Sequence, residues 1–183
     1  KGIELNPQAV AAAQAQSRNV VLETLDGQPL AAFDVVTLFQ VLEHVDDPVA
    51  FLTEAAKRVR PGGVLIVTTP NMAHYMIQSI NHVLNYPPHH LSWWTADSLG
   101  SLVSSLGFSQ IAIWEEPLQS IHVADWIEAK INPSMGRYFD FSVKTKILRK
   151  LAKATSYLLG PVLSNRNDIK GQCVMVSGRK PIS

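Results

Sequence analysis

Residues 33–48 read FDVVTLFQVLEHVDDP, and residues 59–71 continue, after a short gap, as VRPGGVLIVTTPN. Phe33-Asp34-Val35-Val36-Thr37-Leu38-Phe39 is a nearly unbroken run of β-branched and apolar residues. It lacks the polar alternation of a half-exposed strand, which is the pattern of a parallel strand covered on both faces. Asp47-Pro48 is a helix N-cap followed by proline at the first helical position, where a missing N–H costs nothing. From Val49 to Arg58 a helix is expected, with Phe51, Leu52, Ala55, Ala56 and Val59 on one face. Pro61-Gly62-Gly63 stops that helix, and Val64 to Thr69 is a second buried strand. Strand, helix and strand in such short succession imply a parallel sheet with right-handed crossovers.

The pattern extends in both directions. Upstream, Gly2-Ile3-Glu4-Leu5 reads as the tail of a strand, Asn6-Pro7 repeats the cap device, and an alanine-rich helix runs to Gln16. Val20 to Thr24 is a further strand, ended by Asp26-Gly27. Downstream, Met72 to Leu84 is expected to be helical. Thr95 caps a helix that runs through Leu106 and is closed by Gly107, Phe108 to Trp114 is a strand, and Gln172 to Gly178 is the last one. The 117–168 stretch between them is helix and loop, longer than an ordinary connection, and reads as a lid or substrate-binding insert in a single domain of residues 1–183.

Composition narrows the class. A 183-residue chain with 46% hydrophobic residues can bury one core, and a formal net charge of +1 gives no electrostatic reason to expect nucleic acid. The single cysteine, Cys173, forms no internal disulfide framework and suits a reducing cytoplasm. The longest apolar runs are strand-sized, too short to span a membrane.

Glu4 places a carboxylate at the C-terminal end of a parallel strand, where open α/β sheets bind ligands and where an acid can accept from both ribose hydroxyls. A solvated or helix-capping glutamate fits the same position. Four pieces in order, GIELNP, FDVV…LEHVDDP, RVRPGGVLIVTTPN and HHLSWWTADSLGSLVSSLGF, resemble class I S-adenosylmethionine-dependent methyltransferases of the ubiquinone and menaquinone biosynthetic group. The resemblance runs from Gly2 to about Trp114. It implies a Rossmann-like α/β fold with a mostly parallel sheet, an antiparallel last strand and a helical insert before it. S-adenosylmethionine would lie across the strand ends: Glu4 on the ribose, Leu5 packed on the adenine, Thr24 and Leu25 at its edge, and Phe39 and Gln40 beside the methionine part. The family's first strand and its glycine-rich loop should precede Lys1, and the ten glycines contain no G-x-G. The expectation is therefore a piece of a longer protein, without a central strand between those of Ile3 and Val35.

Some relatives hold a divalent metal on a Glu-x-x-Glu-His run. Here the run is Gln40-Val41-Leu42-Glu43-His44, with an amide replacing one carboxylate, so no metal is expected and Glu43-His44 reads as a structural turn with His44 facing the pocket. His44 and His90 are the candidate general bases for an oxygen acceptor. Asn71, His90 and Trp93 are the acceptor-side candidates, although the aromatics of PPHHLSWWT also suit simple packing of that loop. Val143, Ile147, Leu151, Ala154 and Leu158 form a helical stripe ringed by lysines. It is read as a lid helix with that stripe on the core, the other reading being peripheral membrane contact through residues 143–158. The functional expectation is an S-adenosylmethionine-dependent methyltransferase acting on a small molecule at oxygen. The competing reading is a non-catalytic fragment or interaction domain.

Overall fold

A computed structural model describes residues 1–73, 75–79, 81–133, 139–164 and 166–182. The main sheet has strand order β3-β4-β6-β5, formed by β3 (Phe33–Phe39), β4 (Val59–Pro70), β5 (Ser109–Pro117) and β6 (Lys170–Arg179). β3 runs parallel to β4, and β6 is antiparallel to both β4 and β5. β1 (Gly2–Glu4) and β2 (Val20–Leu22) pair in parallel as a separate two-stranded sheet. The α/β class and the antiparallel last strand are as the sequence implied.

Local chemistry sets the helix starts. Asn6 Oδ1 accepts from the amides of Gln8 and Ala9 ahead of α1 (Pro7–Ala15), and Asp47 Oδ1 accepts from Ala50 ahead of α2 (Pro48–Arg58). Thr95 and Ser98 form a reciprocal capping box on α3 (Ala96–Ser105). Each cap satisfies donors that the first helical turn otherwise leaves unpaired. α2 buries Leu52, Ala55 and Ala56 against Leu65 and Val67 of β4 and Val174 and Val176 of β6. α3 covers the same core with Leu99 and Val103.

The two sheets are tied by the loop after β2. Arg58, nearly buried, donates from Nε to the Leu25 carbonyl and from Nη2 to that of Asp26, while Leu25 packs on the main core.

Two expectations are corrected. Met72 to Leu84 is not an α-helix: among its described residues there are only 3₁₀ turns at Met76–Gln78 and Val83–Asn85. Met72, Tyr75 and Met76 are instead fixed by tertiary packing, in a second small core with Leu118, Val123, Ile127 and Ala152. The stripe of α5 (Val143–Leu163) does not face the core. The buried side is Thr145, Ala152 and Gly160, small residues that let α5 approach α4 (Val123–Ile131) closely. Two side chains of α5 hold that orientation. Thr145 Oγ1 accepts from Asn132 and donates to Asp140, and Arg149 pairs with the buried Glu128 carboxylate at 2.9 Å.

Gly63 shows why the PGG turn takes glycine. A Cβ there would stand 2.8 Å from the Asp34 carbonyl oxygen and 2.8 Å from Val59 Cγ1, in the register irregularity near the start of β4. Gly63→Ala should therefore destabilise the chain by about 1–3 kcal/mol, read as a lower urea midpoint at unchanged m-value. An unchanged midpoint would show that this part of β4 has slack.

Candidate active site

The end of β3 is where the sequence candidates converge. Gln40 adopts φ 53°, a left-handed conformation that costs a non-glycine residue energy, and its amide still donates to the Thr68 carbonyl of β4. Its side chain crosses the strand ends to Cys173 Sγ of β6 at 3.8 Å. Burial pushes the Cys173 thiol up to about 11, so it is a neutral thiol at physiological pH.

Past Gln40 the chain turns through a 3₁₀ segment, Leu42–His44, that points Leu42 into the core. The loop of residues 86–95 clamps onto this turn. Leu91 donates to the Glu43 carbonyl at 2.7 Å, Ser92 donates to the same oxygen at 3.3 Å, and the Ser92 hydroxyl donates to the Leu42 carbonyl. Trp93 anchors the other side of the loop, its indole N–H on the Asn85 carbonyl at 2.6 Å and its ring edge-on to Tyr86. This clamp brings His44 and His90 together, with ring centroids 4.8 Å apart.

Glu43, His44 and His90 then form one cluster whose ligating atoms all lie within 4.8 Å of one another. His44 Nδ1 is 2.6 Å from the His89 carbonyl. A carbonyl can only accept, so Nδ1 carries a proton and, in the neutral ring, Nε2 carries the lone pair. That Nε2 faces Glu43 Oε1 at 3.8 Å. The Glu43 side chain is 1% exposed, and neither carboxylate oxygen has a hydrogen-bond partner. Two acceptors facing each other at this distance call for a positive charge between them: a proton on either group or a bound cation. Burial raises the Glu43 carboxyl above its ordinary value. Burial, with His44 and His89 adding their positive fields, lowers His90.

The other candidates fall into two groups. Leu5, Thr24, Phe39 and Gln40 are exposed at strand ends, with Leu5 at 69% and Phe39 at 60%, open apolar surfaces of the kind a base can pack on. Glu4 also lies in the open, but its Oε1 accepts from the amides of Leu5 and Asn6, both at 2.8 Å, leaving Oε2 outward. Thr24 gives its hydroxyl to Asp26, holding that carboxyl below its ordinary range. Leu25 is partly buried and packs on the core, as described above. Asn71 is fully buried: Nδ2 donates to Glu115 at 2.9 Å and Oδ1 accepts from Ala73. It braces the strand end and has no open face for an acceptor.

The α/β fold, with the candidate residues at the carboxyl ends of parallel strands, is that of Rossmann-like S-adenosylmethionine-dependent methyltransferases. The profile of the family described as "Methyltransferase domain" matches residues 1–113, and the chain belongs to that family. The family's cofactor is S-adenosylmethionine. The chain is 40% identical, over 73 residues, to a ubiquinone biosynthesis O-methyltransferase of Idiomarina loihiensis, an alignment spanning 38% of this chain and 30% of that one. It is 31% identical over 142 residues to a probable S-adenosylmethionine-dependent methyltransferase of Mycolicibacterium smegmatis, covering 76% of this chain and 51% of the relative. The chain thus spans about half or less of the length of these curated relatives. In fold it is similar to a phosphoethanolamine N-methyltransferase of Haemonchus contortus in complex with S-adenosyl-L-methionine. The TM-score is 0.60 at 13% identity, covering 98% of this chain and 43% of the other.

The residues present fit the adenosine side of that cofactor: the free Oε2 of Glu4 suits a ribose hydroxyl, and Leu5 and Phe39 offer open apolar faces. Among the described residues no glycine cradle receives the methionine carboxylate.

The clustered carboxyl yields a signed expectation. Because folding raises the Glu43 pKa, the protonated form favours folding below the unfolded value of 4.5, and that stability is lost as pH rises through the folded value. In chelator, Glu43→Gln should therefore be more stable than the parent at neutral pH by about 1 kcal/mol. The gap should close as pH falls toward 4.5. Thermal unfolding across pH measures it, and parallel profiles would mean that Glu43 has a partner.

Proposed function

We propose that this chain supplies the acceptor side and the adenosine-facing strand ends of a methyltransferase that methylates a small molecule at a hydroxyl oxygen. The observation that carries the reading is the pair of histidines clamped beside the strand end that holds Gln40. S-adenosylmethionine supplies an already activated methyl group, so the protein's remaining tasks are positioning and, for a hydroxyl, accepting its proton. A histidine held neutral near physiological pH suits that second task. His44 presents an Nε2 lone pair because its Nδ1–H is spent on the His89 carbonyl. His90 is biased toward the neutral form by burial and by its histidine neighbours. Trp93, half exposed with its N–H already satisfied, offers an apolar wall. Similarity to ubiquinone O-methyltransferases supports oxygen over nitrogen.

Turnover of the gene's full product with a phenolic acceptor tests this. His44→Ala and His90→Ala should each lower kcat by about 10²–10⁴-fold while S-adenosylmethionine affinity is kept. The kcat/KM profile should rise with pH through a midpoint below 6.5 as His90 loses its proton. Full turnover in both variants would exclude base catalysis by this pair. Calorimetry with S-adenosylmethionine separates the enzyme from a non-catalytic interaction domain, which would bind none.

The unpartnered Glu43 carboxylate favours a second reading, a divalent ion held by Glu43, His44 and His90. Two imidazoles and one carboxylate suit zinc or manganese better than magnesium, which prefers oxygen. Manganese or zinc titrated into chelator-treated protein should then bind at one site that Glu43→Gln abolishes. A flat titration leaves the proton as the charge between the two groups.

A further inference from the structure

α5 wears its apolar residues outward. Val143, Ile147, Leu151 and Leu158 are all more than half exposed, Val143 at 72% and Leu158 at 80%. At 100° per residue these four and Ala154 fall on one stripe, opposite the buried face of Thr145, Ala152 and Gly160. Phe141, just before the helix, and Ile121, which lines the same groove as Tyr157 and Pro161, extend the apolar surface. Lys146, Lys150 and Lys153 run along one border of the stripe, and Lys144 lies at the other. Between Val143 and Leu163 there is no aspartate or glutamate.

We propose that this face of α5 docks peripherally on an anionic lipid surface. The apolar stripe would enter the boundary between headgroups and acyl chains, and the lysines would lie level with the headgroup phosphates. Three features select that occupant. The stripe cannot turn inward, because the Thr145 and Arg149 contacts fix the opposite face on α4. An apolar stripe bordered by lysines matches an interface, since the long lysine stems reach back to charge while their methylenes stay apolar. A second copy on the same face would bring the lysine borders of two acid-free helices near each other, a like-charge arrangement. The inference is independent of the methyl-transfer reading.

Co-sedimentation of the chain with phosphatidylcholine vesicles, with and without phosphatidylglycerol, tests it. The chain should partition onto the anionic vesicles at least about tenfold more strongly than onto the neutral ones, and added salt should release it. Lys146→Glu/Lys150→Glu/Lys153→Glu should weaken partitioning at least about tenfold, as should Ile147→Ser/Leu151→Ser/Leu158→Ser. All six side chains are solvent-facing, and an unchanged near-UV spectrum verifies the fold of each variant. The proposal is overturned if anionic vesicles gain nothing over neutral ones, or if both variants bind as the parent does. It is also overturned if sedimentation equilibrium finds a dimer that the serine variant dissolves.

Discussion

The backbone carbonyl of Glu43 holds the candidate site together. It accepts from both Leu91 and Ser92, so two segments almost fifty residues apart meet on one oxygen. Without that clamp, His90 would have no fixed relation to His44, and the loop would not close over the end of β3. The clamp works because the 3₁₀ turn drives Leu42 fully into the core, which leaves the Glu43 carbonyl presented to the loop. Packing energy from one leucine thus positions polar groups that the local sequence alone could not align.

The same turn forces an electrostatic problem. Burying a carboxylate without partners is expensive, and the structure places it beside an imidazole lone pair, where neither group can help the other unless a positive charge lies between them. Buried polar groups are normally satisfied, so this orphan carboxyl beside His44 and His90 needs a compensating positive charge. The left-handed Gln40 one turn away is a second expenditure of conformational energy at the same spot.

Elsewhere the molecule is divided between one large core under α2 and α3 and a smaller one built by the insert. The smaller core depends on small residues of α5 meeting α4, and this choice sends the larger apolar side chains to the surface. Close helix approach and the polar anchors of Thr145 and Arg149 win over simple burial of the bulkiest face.

The strands from Val20 to Val176 and the starts of α1, α2 and α3 were legible in the sequence, because unbroken β-branched runs and cap residues act within a few positions of themselves. Glu4, Thr24, Phe39 and Gln40 were legible as strand-end residues for the same local reason, and the motif order identified the family. The 72–84 segment misled, since its apolar spacing suits a helix while Tyr75 and Met76 are held by residues more than forty positions away. Asn71 looked available because its partner, Glu115, is distant in sequence. The orientation of α5 was equally hidden: amphipathic spacing says that a helix has two faces, and only its neighbours decide which one is covered. The sequence by itself determined the elements, their caps and the family, all of which rest on short-range patterns. The tertiary structure alone decided that Glu43, His44 and His90 meet, and which face of α5 sees solvent, because both depend on hydrogen bonds and packing between segments far apart along the chain.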